Sequence, residues 1–173
     1  MKKLIILLIL IISIFLTSCT TLYVLNPSQI TMPDDIEFIN LVKQLDTPEK
    51  ICQYMQENFT FKNNPEYTPS PYTLWQIKEG DCNDFSTFAC FIANYHGYET
   101  YQIIIGYENI ESKHSLAVFK KGNYYTFSSN YFYTDIAIES FKDIMKHITF
   151  SNWTEYTVYD YNMNVVEHKT NSL

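Results

Sequence analysis

Between Phe85 and His96 the residues Phe85, Phe88, Ala89, Ile92 and Ala93 recur at helical spacing, and Gly97 follows as a stop. A face this apolar has to be covered by protein, so the helix is central and other elements must be built around it. After Gly97 the period changes. Tyr98 to Tyr107 and His114 to Lys120 are rich in β-branched and aromatic residues and are predicted as strands. The segment "KKGN" is a turn, and "YYTFSSNYFY" is the next strand with its exit. Asp135 to His147 is predicted as a helix with Ile138, Phe141, Ile144 and Met145 inward. "EYTVYDY" and "NVVEH" form a closing hairpin turning around Asn162 to Asn164.

Upstream, Asp34 to Leu45 sets Ile36, Ile39, Val42 and Leu45 on one helical face. "DTPEKICQYMQENF" is a second helix, with Asp46 or Thr47 as cap, Pro48 in the first turn and Glu49 complementing the dipole. The proline-rich "KNNPEYTPSPY" is a loop, and "TLWQIKEGDC" is a short helical or extended piece leading to Cys82. Helices first, then antiparallel strands, with one helix near the end, make an α+β domain.

The first residues fix the expected compartment. A basic start, an apolar run from Leu4 to Leu16 and small residues before a cysteine have the parts of a secretory leader. The apolar run falls short of the roughly 20 residues of a comfortable membrane span. "LTSC", Leu16 to Cys19, resembles the lipobox of bacterial lipoproteins, which implies a leader over 1–18 and a lipid on Cys19. Residues 19–33 are then a tether and 34–170 the domain. The leader holds two of the twelve lysines and no acid, so its removal takes the net charge from −7 to −9. With no arginine at all, such a chain is not expected to bind nucleic acid. It has no basic patch for anionic lipid either, so acyl chains on Cys19 would hold it at the membrane.

Besides Cys19, three cysteines follow the leader: Cys52, Cys82 and Cys90. Cys52 and Cys90 read as small core residues, although a disulfide between them would also leave Cys82 free. Cys82 is different. In "GDCNDF" it stands at or just before the first turn of the central helix, where unpaired N–H groups favour a thiolate. A thiol nucleophile needs a base, and His114 opens a strand after the polar stretch "ENIESK". If Lys120 and Asn123 pair across their turn, His114 faces Ser129, with Asn130 beside it. Either side chain can hold an imidazole in place. No paired Cys or His motif is present, so neither a metal nor any other cofactor is expected. Asp81 and Asp84 read as charges suited to a helix start.

The segment from Gly80 to Phe119 resembles the core of the transglutaminase-like superfamily, a papain-like fold, and the likeness extends over about Asp46 to Tyr131. The resemblance implies that Cys82 is the nucleophile and His114 the base. The family commonly has an aspartate at the end of the next strand, where this chain has "FSSN". Asn130 is the first choice for that third member and Ser129 the second. The Cys82 N–H, with Gln76 or Trp75 from the preceding segment, would form the oxyanion site. These expectations describe a lipid-anchored, extracytoplasmic thiol enzyme of the bacterial envelope. It would cleave or transfer at an amide of a protein or peptide. The alternative is a catalytically inactive module of the same fold that binds in the envelope.

Overall fold

The structure is a computed structural model that describes residues 25–63, 67–108, 110–148 and 152–171. The expected leader and Cys19 lie outside the described residues.

Each early helix starts at a side-chain cap. Asp35 accepts from the N–H groups of Glu37 and Phe38 and opens α1 (Ile36–Gln44). Thr47 caps α2 (Pro48–Asn58), with proline in its first turn, and Ser70 caps α3 (Pro71–Ile77). Lys78 closes α3 in a left-handed conformation, φ 61°. Its ammonium donates to the Tyr54 hydroxyl at 2.9 Å and sits over the rings of Tyr54, Phe59 and Trp75. This brace holds the chain where β2 (Glu79–Gly80) pairs in parallel with β1 (Thr60–Phe61). The central helix, α4 (Cys82–Tyr95), begins two residues later.

The main sheet is built from β3 (Glu99–Tyr107), β4 (Ile110–Lys121), β5 (Tyr124–Ser129), β6 (Phe132–Ile138), β7 (Trp153–Asp160) and β8 (Val165–Thr170). Its order is β6-β5-β4-β3-β7-β8, and every pairing is antiparallel. One face packs on α1–α4: Phe38, Val42, Ile51, Met55, Phe85, Phe88 and Ile92 meet Ala117 and Phe119 of β4. The other packs on α5 (Phe141–His147), where Ile144 and Met145 meet Ile103, Ile105, Leu116, Val118 and Tyr156. Strand alternation produces the two cores: Ala117 and Phe119 point one way, Leu116 and Val118 the other. Each fully buried side chain of this size is worth roughly 1.5–3 kcal/mol. The α+β class and the central helix on an antiparallel sheet match the expectation.

Four expectations change. The helix placed over Asp135 to His147 is strand β6 followed by the shorter α5. Pairing with β5 overrides a helical spacing that Ile138, Ile144 and Met145 satisfy only by reaching the same core from two elements. β4 starts at Ile110, so His114 lies within a strand and not at its beginning. The β4–β5 turn is centred on Gly122 and Asn123, with Lys121 opposite Tyr124. Ser129 therefore lies opposite Leu116, and His114 reaches it diagonally. The tether is the fourth. From residue 25 onward the chain is strapped to the domain. Pro27 is buried, and Ile30 and Met32 pack on the helical core. The Asn26 amide donates to the Asn162 carbonyl at 3.2 Å and the Tyr161 hydroxyl to that of Pro27 at 3.1 Å.

A fragment beginning at Asp34 loses this strap. Its stability is expected to fall by about 1–3 kcal/mol relative to a fragment beginning at Leu25, measured by urea unfolding at equal m-value.

Candidate active site

The start of α4 is shaped by a glycine. A Cβ on Gly80 would lie 2.7 Å from Leu74 Cδ1 and 2.8 Å from Asp84 Oδ2, so only glycine lets the chain pass here. The Asp81 side chain accepts from the N–H groups of Asn83 and Asp84, and Asp84 Oδ2 accepts from the Asp81 N–H at 2.9 Å. This reciprocal capping box leaves the Cys82 N–H, first of the helix, outside the cap.

A buried polar clamp sets the depth of α4 on the sheet. Ser86 Oγ donates to the Asn83 carbonyl at 3.0 Å. It accepts from Gln102 Nε2 at 3.1 Å, and with its one proton committed it accepts from Ser115 Oγ at 2.6 Å as well. Gln102 Nε2 also reaches Thr87 Oγ1 at 2.9 Å. Ser115 is the neighbour of His114, and Ser86 lies one turn beyond Cys82. The clamp thus ties the helix turn carrying the thiol to the strand position carrying the imidazole.

The Cys82 thiol faces the Lys113 carbonyl oxygen, 3.9 Å away, and the Ser115 N–H also reaches it. The sulfur lies against the main chain on both sides of His114. Burial raises its pKa to about 11; the carboxylates of Asp81 and Asp84 push the same way, and the N–H groups of Ser115 and Asn83 pull against them. The thiolate expected from a helix N-terminus is therefore not the resting state: burial and two nearby acids outweigh the helix end. Asp84 is buried, and its pKa rises to about 7, chiefly through desolvation with a contribution from Asp81.

His114 shares its side of β4 with Leu116 by alternation, and its Nε2 is 2.9 Å from Ser129 Oγ. Burial lowers its pKa. The thiol and the imidazole make no hydrogen bond to each other. Asn130, first choice for the third position, is not on the imidazole. It makes the β5–β6 turn at φ 54°, and its Oδ1 is shielded from solvent without a hydrogen-bond partner. Trp75 packs against Phe38 and Tyr72 beneath Lys78, and Gln76 is exposed on α3. Tyr107 was not expected here. It follows the bulge at Gly106, and its hydroxyl, raised to about 12 by burial, also feels the Cys82 charge. A glycine inside a strand pattern is the sequence signal for such a bulge. Cys52 and Cys90 are buried free thiols. Among the described residues no cluster of three or more His, Cys, Asp or Glu is arranged to hold a metal ion.

The sequence profile of the transglutaminase-like superfamily matches residues 40–161. The chain belongs to that superfamily. Solved structures agree on the fold. Legionella pneumophila LapG, EGTA-treated, superposes with TM-score 0.50 at 12% identity, over 76% of this chain and 77% of its own. A Parabacteroides distasonis protein described as a candidate protease superposes with TM-score 0.51 at 7% identity, over 86% of this chain but 30% of its own. No curated protein matches the chain.

Within this transglutaminase-like frame, Asp84 is the residue whose titration is easiest to isolate. Its folded pKa lies above that of the unfolded chain, so the native state holds the proton longer. The stability Asp84 contributes is full at pH below about 4 and is lost as pH rises through about 7. Asp84→Asn is expected to match wild type near pH 4 and to exceed it at pH 8 by on the order of 1–2 kcal/mol in urea unfolding. The same substitution removes one of the two nearby charges, so the apparent pKa of Cys82, read from alkylation rate against pH, should fall.

Proposed function

We propose that the chain is a thiol hydrolase or acyltransferase of peptidase-like kind acting on an amide carbonyl of a protein or peptide. Cys82 is its nucleophile, His114 its base and Ser129 the group that orients the base. The observation carrying this reading is the position of the sulfur, 3.9 Å from the Lys113 carbonyl and against the strand residues that flank His114. The thiol and the imidazole are not hydrogen-bonded here, and catalytic contacts often tighten only with substrate bound.

The protonation states define the mechanism. Near neutral pH the thiol keeps its proton and the buried imidazole is neutral. The pair therefore works by general base catalysis and not as a preformed ion pair. As sulfur attacks the carbonyl carbon, the imidazole takes the thiol proton, and the carbonyl π electrons move onto oxygen. The Cys82 N–H, left out of the cap, donates to that oxyanion. Collapse breaks the C–N bond, and the imidazolium passes its proton to the departing amine. Water attacking the thioester completes hydrolysis; an amine completes transfer. Ser129 holds the ring by a neutral hydrogen bond, which stabilises the imidazolium less than a carboxylate would.

We also infer that Cys19 carries a lipid and that the domain works outside the cytoplasm, held at a membrane. The sequence pattern "LTSC" supports this. Among the described residues no helix is long and apolar enough to cross a membrane. Cys19→Ala is expected to release the full-length protein from the salt-washed membrane fraction, measured by immunoblot; full retention there would refute lipid anchoring.

Acylation by p-nitrophenyl acetate, followed as the mass of acyl-Cys82, tests the chemistry. Its rate should rise with pH through a value below 6.5, as His114 loses its proton. His114→Ala should lower it by about a hundredfold or more and Ser129→Ala by about tenfold. Ser129→Asp should move the acid limb to higher pH, because a carboxylate favours the imidazolium. If the four proteins acylate alike, Cys82 has no partner, and the binding-module reading replaces this one.

A further inference from the structure

Four aromatic rings run without a break past the first turn of α4. Phe61 meets Phe85 with centroids 6.3 Å apart, Phe85 meets Tyr131 at 5.8 Å, and Tyr131 meets Phe132 at 4.8 Å. Phe85 is fully buried, as a core residue should be. The ends of the row are in water: Phe61 is 49% exposed and Phe132 57%. Exposed apolar residues are ordinary one by one, but Phe61 on one side and the Tyr131–Phe132 pair on the other both rest on Phe85, one turn from the thiol, and leave apolar surface open there.

Every ring is tied to the reactive residues through a named link. Phe85 lies one helical turn from Cys82 on α4. Tyr131 and Phe132 follow Ser129, which bonds His114, and the left-handed Asn130 between them sets the direction in which both side chains leave the sheet. Phe61 is carried by β1, whose partner Gly80 opens the chain into Cys82. A further ring, Tyr67, stands 52% exposed beside Thr68, whose hydroxyl accepts from the Asn83 amide at 3.1 Å.

The charges around the row discriminate as well. Lys62 is engaged by Glu79 at 2.6 Å and Lys113 by Glu155 at 3.4 Å. Each of these ammonium groups already faces a carboxylate, and Asp81 adds a negative charge at the helix start. An acidic residue would meet repulsion here, while an apolar one would cover the rings.

We propose that this aromatic row is the subsite that receives a large apolar or aromatic side chain of the polypeptide whose carbonyl is presented to Cys82. The assignment rests on Cys82 as the acylating nucleophile. An extended peptide advances about 3.3 Å per residue, so residues adjoining the scissile bond fall within reach of the row. The occupant is a substrate side chain and not a second copy of the chain, because the rings adjoin the site residues along the chain, Phe85 one turn from Cys82 and Tyr131 and Phe132 just after Ser129, whereas the exposed Val165 and Val166 lie on edge strand β8.

The test uses dipeptidyl chloromethyl ketones ending in Phe, Ala or Glu. The rate of Cys82 adduct formation is read by mass spectrometry and divided by each protein's own iodoacetamide rate. Wild type is expected to favour the Phe reagent over the Ala and Glu reagents by about tenfold or more. Phe61→Ala and Phe132→Ala should each weaken that preference, and the double variant should bring it within about twofold. Both side chains are half exposed, so these variants are expected to fold, with circular dichroism as the check. Phe132→Leu, which keeps an apolar side chain on the turn, should retain part of the preference, and Val165→Ala should retain all of it. Absence of preference in wild type, or its survival in the double variant, overturns the subsite. His114→Ala separates the two readings: if it labels with all three ketones at wild-type rates, the Cys82–His114 pair of the proposed function fails, whatever the preference.

Discussion

The Ser86 hydroxyl, one turn into α4, holds three hydrogen bonds at once, to Asn83, Ser115 and Gln102. Buried polar groups leave water without loss only when fully paired, and this one is. Its geometry therefore fixes the distance between helix and sheet more sharply than the surrounding Phe, Ile and Ala contacts could, since apolar packing has no preferred direction. Shifting α4 along its axis would break the two bonds that cross to the sheet, to Ser115 and Gln102. The position of Cys82 against residues 113–115 follows from that fixed depth.

Two effects act on the thiol in opposite directions, and magnitude decides between them. A helix N-terminus offers a partial positive charge that fades within the first turn. Burial and the charges of Asp81 and Asp84 oppose it and win. The acids are present for another reason: they cap the helix. One pair of residues thus stabilises the element that carries Cys82 and adds to the burial that keeps its sulfur protonated. In the mechanism proposed above, the work of making a thiolate falls to His114, whose own burial lowers its pKa and favours the neutral ring that can accept a proton.

The central helix was legible because its apolar spacing runs unbroken from Phe85 to Ala93, and the strands after Gly97 because β-branched and aromatic residues crowd there. β6 was misread because edge strands carry little pattern of their own; Asp135, Ile136 and Ala137 are all exposed, and pairing with β5 is a long-range fact. The register of the β4–β5 hairpin was available in principle. "GN" between aromatic-rich runs is a two-residue turn signal, and centring the turn there would have put Ser129 opposite Leu116. The choice between Ser129 and Asn130 was less accessible, because it depends on Asn130 adopting a positive φ at the strand's end. Trp75 could not have been placed without knowing that Lys78 folds back over its ring.

A sulfur held as thiol has a consequence for survival. Peroxide reacts with thiolate and hardly at all with thiol, and the climb from sulfenic to sulfonic acid ends irreversibly. With its pKa near 11, Cys82 presents only a minute thiolate fraction to the surroundings in the resting protein. Cys52 and Cys90, buried and near 12, present still less. Burial, aided by the acidic cap of α4, therefore protects the sulfur from oxidation: it becomes vulnerable only for as long as a base is drawing off its proton.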